Sequence, residues 1–376
     1  MTPTDAVLAS ELPAMDFRSR FDRLRAELDG AGCDAVLVTR LVNVRYLTGF
    51  TGSAALLLVK PDGALFVSDG RYRDQAAEEI GAAGVDVDIE ILNLGQKDVI
   101  VGGASGVDRL GLEADDVTWA QQRKYAGEWF PDTELVATEG LVDQLRLVKD
   151  VGEVARIQAA CATADAALAA VRHRLVEGPT EEEFGLELDT EIRRLGAEGN
   201  SFETIVASGP NSAKPHARPG SRRIQEGDLV VLDFGALVDG YCSDMTRTFA
   251  IGEVSETQQR MLDVVAASQR AGVEAVAAGV EAKAVDLASR EVIDEAGWGD
   301  AFLHSTGHGV GLEIHENPRV AQTSEDTLRS DYIVTVEPGV YLPEHGGVRI
   351  EDTVVVTDDG CRVLTGAPKS TDPLAA

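Results

Sequence analysis

The stretch LVVLDFGALVDGYCSDMTRTF, residues 229–249, sets the tightest constraint on how this 376-residue chain can fold. Residues 229–232 are continuously apolar, as a strand buried on both faces requires, and Asp233 then interrupts them. Asp244 follows beyond a turn. Asp239-Gly240 suits a two-residue type I′ turn, because both central positions need positive φ. That turn sets Val238 opposite Tyr241, Gly235 opposite Asp244 and Asp233 opposite Thr246. Side chains alternate along a strand, so Asp233, Gly235 and Asp244 share a face and the two carboxylates become diagonal neighbours. Gly235 is expected to leave empty space between them. Two like charges so close in a core repel unless a cation joins them. One exposed aspartate and one turn aspartate would explain the hairpin equally well, so more of the chain is needed.

A second hairpin repeats the pattern. VVLDFG and YCSDMTRTF in the first have counterparts in VTVEPG and VRIEDTVVV, with Glu337 at the place of Asp233 and Glu351 at that of Asp244. If PEHGG is the loop, Leu342 faces Val348, and Glu337 and Glu351 are again diagonal neighbours. The preceding segments match as well: an Ala-rich helix over residues 153–175 and a second over 255–278, each followed by a Gly-containing turn and another helix. Thr180 with Glu183 forms a capping box for one of these. Two helix–helix–strand units pack as an α+β domain, helices outside and strands meeting inside. Two halves that each offer a carboxylate pair to one cleft demand metal.

Histidines lie beside these pairs. FLHSTGHGVGLEIHENP carries His304, His308 and His315, and its glycines favour extended backbone with close approach over helix. His216, in SGPNSAKPHARPG, precedes the first hairpin. His173 and His345 read as surface residues.

The N-terminal part alternates α and β. Phe17, Phe21, Leu24 and Leu28 recur at helical spacing, DAVLVT reads as a strand, AALLLVKPDGALFVSD as two strands around Pro61-Asp62-Gly63, RYRDQAAEEIG as helix and VDVDIEIL as strand. With 64 acidic against 34 basic residues the net charge is −30. Such a surface repels phosphate backbones and anionic lipid, which excludes nucleic-acid and membrane partners and attracts cations. No apolar run approaches the roughly 18 residues of a membrane span. Cys33, Cys161, Cys242 and Cys361 are scattered, without a CxxC pair, as expected of a reduced cytoplasmic protein. The first residues lack the basic region of a signal peptide.

With these motifs in view, the chain resembles the metallopeptidases of the pita-bread fold, in the branch that holds prolidase and aminopeptidase P. DGYCSDMTRTF, HSTGHGVGLEIHE, VEPGVY and VRIEDT carry the likeness, which is strong over residues 153–364. NVRYLTGFTGSAALLLV and SDGRYRDQA extend it to the N-terminal part. The resemblance implies a pita-bread α+β domain at residues 146–376, two helix–helix–strand pseudo-repeats around a curved antiparallel sheet. It implies a smaller α/β, creatinase/prolidase-like domain at 1–145. It implies two metal ions, Asp233 chelating one, His308 and Glu337 the other, with Asp244 and Glu351 bridging. Four carboxylates and one imidazole suit Mn²⁺ or Co²⁺ better than a structural zinc, although Zn²⁺ is compatible.

The same resemblance assigns Glu337 to proton transfer, His216, His304 and His315 to substrate, and Arg349 to the neighbourhood of the bridging glutamate, where it is either catalytic or an orienting partner. Arg45 is a candidate grip for the substrate's free carboxylate, and Tyr241 and Thr246 are supporting groups. The expected activity is Xaa-Pro dipeptidase on short proline-containing peptides. Aminopeptidase P on longer peptides is the alternative, with a metal-free creatinase-like hydrolase or a non-catalytic binding protein behind it. A homodimer is expected from the family alone.

Overall fold

The structure is a computed structural model that describes residues 12–375. The signal-peptide reading rests mainly on residues 1–11, outside the described ones. Contacts divide the described residues into two units, one of residues 15–146 and one of residues 12–14 and 147–375.

In the N-terminal unit, Asp16 caps the helix Phe17–Glu27 by accepting from the Ser19 N–H. Strands β1 (Ala35–Val38), β2 (Leu56–Lys60), β3 (Gly63–Ser68), β4 (Asp88–Ile91), β5 (Arg109–Glu113) and β6 (Glu134–Thr138) form one sheet in the order β4-β3-β2-β1-β5-β6. The β2–β3 pair is the expected hairpin, closed by Lys60 opposite Gly63. The remaining joins except β1–β2 are parallel. Ala35, Leu37, Leu58, Ile100, Leu110 and Phe130 fill the core between the sheet and its helices.

The C-terminal unit is built twice. Helices Val151–Val171 and Glu181–Arg194 precede β7 (Gly199–Asn200), β8 (Ile205–Ser208), β9 (Leu229–Phe234), β10 (Ala236–Val238), β11 (Tyr241–Cys242) and β12 (Met245–Ala250). Helices Glu256–Ala275 and Ala282–Glu295 precede β13 (Gly307–Gly309), β14 (Glu316–Val320), β15 (Ile333–Val336), β16 (Gly339–Leu342), β17 (Gly346–Arg349), β18 (Asp352–Thr357) and β19 (Gly360–Val363). Antiparallel triplets β8-β9-β12 and β13-β15-β18 correspond in order and connection. Capping boxes at Asp150, Thr180 and Ser255 start three of the four helices. Leu168, Phe184, Leu188, Val230, Leu232 and Phe249 form the first half's core, and Val285, Val334, Val336 and Val354 the second's. A third cluster joins the halves through Leu229, Met261, Val265, Val340 and Val348.

Helix Val151–Val171 corrects one expectation. With its 3-10 continuation to Glu177 it is long and apolar enough, by composition, to cross a membrane. Its Ala160, Ala164, Ala167 and Leu168 instead pack against Phe184 and Leu188, which accounts for its apolar character.

The first hairpin has the expected register: Val238 pairs with Tyr241 and Asp233 with Thr246, and Asp239 and Gly240 have φ of 46° and 73°. The second differs. Leu342 pairs with Gly346, not Val348, because Gly346 takes the left-handed conformation (φ 102°) and closes a three-residue loop. The pairing of Val336 with Asp352 continues outward, so Glu337 and Glu351 stand directly opposite each other and not diagonally.

Candidate metal centre

The four cage carboxylates lie at or next to the ends of strands, and His308 lies within one. Asp233 ends the apolar run of β9, and Asp244 lies just before β12. A Cβ on Gly235 would lie 1.9 Å from the Ser243 carbonyl oxygen and 2.2 Å from Ser201 Oγ. The space beneath Gly235 is therefore filled by backbone, not left empty between the carboxylates. His308 stands in β13, where a Cβ on Gly307 would meet the Thr335 carbonyl at 1.9 Å. The glycines around the histidine thus permit close strand approach, as their sequence suggests.

These elements converge. One ligand atom from each of Asp244, His308 and Glu351 lies within 4.8 Å of the others. His308 Nε2 is 3.5 Å from Asp244 Oδ2 and 3.4 Å from Glu337 Oε1. His308 Nδ1 is 2.9 Å from the Gly309 carbonyl, which can only accept, so Nδ1 carries the proton and Nε2 presents its lone pair to the carboxylates. Asp233 Oδ2 accepts from Arg349 Nη2 at 2.5 Å. Glu351 Oε2 accepts from Thr246 Oγ1 at 2.7 Å, which makes Thr246 the supporting group expected of it. Tyr241 donates its hydroxyl to Glu153.

The electrostatics call for a cation. Burial pushes the Asp244 and Glu351 carboxyls well above their usual range, and the neighbouring carboxylates push them further. Burial, with Asp233 beside it, raises Glu337 to about 8, while Arg349 pulls the other way. Burial lowers His308 to about 4, keeping the imidazole neutral and able to ligate. Asp233 Oδ1 and Glu351 Oε1 are buried without a hydrogen-bond partner. Orphaned carboxylate oxygens around a neutral imidazole are the donor set of a divalent cation, and the residues fit one.

The other assigned residues differ in their freedom. His315 is exposed, its ring 4.4 Å from that of His308, and His216 is exposed on the loop before β9. Partial desolvation of the ring and the nearby His216 both lower the pKa of His315, whereas Asp233 raises it. His304 is not free to meet a substrate as it stands. Its Nδ1 lies 2.8 Å from the Ser305 carbonyl and its Nε2 2.8 Å from the Tyr341 hydroxyl, which also accepts from Arg349 Nη1 at 2.7 Å. The sequence reading thus missed Tyr341, which links Arg349 to His304. Arg349 touches Asp233, Thr246 and Tyr341 together, so it orients the cage.

Arg45 belongs to the helix Leu41–Thr48 of the N-terminal unit. Arg319 was also missed. It is exposed, pairs directly with His308 across β13–β14, and so faces the same side of the sheet.

Comparison with known proteins agrees with this fold. Residues 155–358 match Metallopeptidase family M24, and residues 20–148 match the Creatinase/Prolidase N-terminal domain. A protein of Pyrococcus furiosus named Xaa-Pro dipeptidase is 36% identical over 350 residues, 93% of this chain and 98% of the relative. A solved structure of the Xaa-Pro dipeptidase from Bacillus anthracis superposes with a TM-score of 0.89 at 39% identity, covering 94% of this chain and 99% of the other. The X-Pro aminopeptidase from Thermotoga maritima gives a TM-score of 0.84 at 35% identity, covering 90% and 97%. With its carboxylate–imidazole cage in a twice-built α+β unit behind a creatinase-type N-terminal domain, the chain belongs to metallopeptidase family M24.

Proposed function

We propose that the protein is an Xaa-Pro dipeptidase that uses two divalent ions, Mn²⁺ foremost with Co²⁺ and Zn²⁺ as alternatives. The observation that carries the dipeptide preference is Arg319. It is an exposed guanidinium one strand across from His308, where it can grip a free carboxylate through charge-assisted hydrogen bonds. When bound, the divalent ions polarise the scissile carbonyl and lower the pKa of a water.

This chain's own groups do the rest. Asp233, Asp244, His308, Glu337 and Glu351 hold the cations. The exposed His216 and His315 imidazoles contact the peptide and stabilise charge developing on its carbonyl oxygen. Glu337 Oε1 carries the proton to the proline nitrogen, a tertiary amide that must gain a proton before it can leave. His304 acts through Tyr341 on Arg349, and Arg349 keeps Asp233 in place.

Aminopeptidase P activity on longer chains is the second reading, favoured by the likeness to the Thermotoga maritima enzyme. Hydrolysis of Ala-Pro beside Ala-Pro-Ala, by Mn²⁺-loaded and by chelated protein, separates the two. Metal-dependent cleavage of Ala-Pro alone supports the dipeptidase, and preference for the tripeptide overturns it. Arg319→Ala and Arg45→Ala test both carboxylate grips: the residue that serves raises KM for Ala-Pro and leaves the tripeptide unchanged. A homodimer and a cytoplasmic location complete the proposal, the former to be checked by light scattering.

A further inference from the structure

The loop carrying His216 is held by a carboxylate outside the cage. Glu181, the first residue of the helix Glu181–Arg194, is fully buried. Its Oε1 accepts from the Ser208 N–H at 2.8 Å, the Ser208 hydroxyl at 2.7 Å and Asn211 Nδ2 at 3.1 Å. Its Oε2 accepts from Asn211 Nδ2 and the Gly220 N–H, each at 3.1 Å. These donors are all neutral, and they stand at the two ends of residues 208–220, with His216 between them. Arg222 reinforces the closure by donating to Ser208 Oγ at 2.6 Å while paired with Asp228.

The far side of the loop reaches the second half of the fold. Ser212 Oγ accepts from the Gly347 N–H at 2.8 Å, and the Pro215 carbonyl accepts from Arg349 Nη1 at 3.2 Å. The loop is therefore clamped by Glu181 at its base and rests on the hairpin that carries Arg349. A buried carboxyl group with several donors aimed at it has little freedom to shift, because each displaced donor leaves a polar group unsatisfied.

We infer that Glu181 is a positioning residue for the reaction: it fixes the loop that presents His216 to the substrate. The inference rests on the reading of His216 as a substrate-contacting group. In Glu181→Gln the amide oxygen can still serve Ser208, but its NH₂ meets the Gly220 N–H and the Asn211 NH₂, donor against donor. The Ser208 end stays closed and the Gly220 end loosens.

The test is a double-mutant cycle on the full chain loaded with Mn²⁺, Glu181→Gln against His216→Ala, with Ala-Pro as substrate. It is accompanied by metal analysis and by amide exchange at Gly220 in the metal-free protein. The expected result is a fall in kcat/KM of between about tenfold and a hundredfold for Glu181→Gln, unchanged metal content, faster exchange at Gly220, and no further loss when Glu181→Gln is added to His216→Ala. Additive losses overturn the inference, as does a loss of activity that merely follows a loss of metal. Full activity in His216→Ala overturns it together with the histidine's role. Failure of the wild type to cleave Ala-Pro would sink the substrate reading alone, and unchanged exchange at Gly220 would then overturn this inference without any substrate. Should Glu181→Gln fail to fold, Asn211→Ala removes a single donor and enters the same cycle.

Discussion

His304 is half-buried with both nitrogens engaged, and desolvation with Arg349 nearby lowers its pKa from 6.5 to about 4. Between those values the unfolded chain binds a proton that the folded protein refuses, so unfolding gains as pH falls. The stability involved is intact above about pH 6.5 and drains away toward pH 4, by at most about 3 kcal/mol. His304→Gln lacks that proton linkage. Urea unfolding of both proteins from about pH 7.5 to 4.5 should show a steeper loss in the wild type, and parallel curves would refute the neutral, Tyr341-bonded imidazole. A second substitution tests the cage: Asp244→Ala should keep the fold, lose most bound metal and abolish peptidase activity, because its carboxylate is within ligand distance of both His308 and Glu351. Full activity in that variant would remove Asp244 from the cage. The cage residues were legible because each is a polar interruption of an apolar strand or a histidine among glycines. Tyr341 was not, since a tyrosine in VEPGVYL reads as core. Glu181 reads as a first-turn helix acid, and Arg319 as one surface charge among many.

Among the elements, the two hairpins show where pattern suffices and where it stops. Asp239-Gly240 admits one tight closure, so its register follows from sequence alone. PEHGG admits two, and the choice depends on Gly346 adopting positive φ, which moves Glu337 from a diagonal to a facing position relative to Glu351. Backbone approach at Gly235 was equally hidden, because sequence shows a missing side chain but not what occupies its place. Gly235→Ala should therefore be costly: the new methyl would press on the Ser243 carbonyl and Ser201 Oγ and pry Asp244 away from Asp233. A destabilisation of at least about 2 kcal/mol is expected, with a weaker apparent metal affinity. Gly360→Ala is the control, since a Cβ there meets nothing within 4 Å and its stability should stay within about 0.5 kcal/mol of wild type. Equal behaviour of the two variants in thermal unfolding would contradict the close approach of β9 and β12.

For the molecule as a whole, cations can act in two ways, and they are separable. The chain carries a net charge of −30, so its surface gathers divalent ions loosely. The cage sets four carboxylates against the guanidinium of Arg349, and two of its carboxylate oxygens are buried without partners. Surface attraction is screened as ionic strength rises, the Debye length falling to about 3 Å at 1 M salt, whereas buried charges are screened far less. A cation bound only by the folded cage stabilises by about 2.7 kcal/mol at a hundredfold excess over its dissociation constant. The two-half design explains why folding is a precondition: Asp233 and Asp244 come from one repeat, His308, Glu337 and Glu351 from the other, and an unfolded chain brings neither set to the other. Chelated protein should accordingly melt several degrees lower than Mn²⁺-loaded protein, and most of that difference should persist at 1 M KCl. In Asp244→Ala the salt-resistant part should vanish while the salt-sensitive part remains. A Mn²⁺-induced shift that disappears at high salt in the wild type would mean that the acidic surface, not the cage, is where the metal acts.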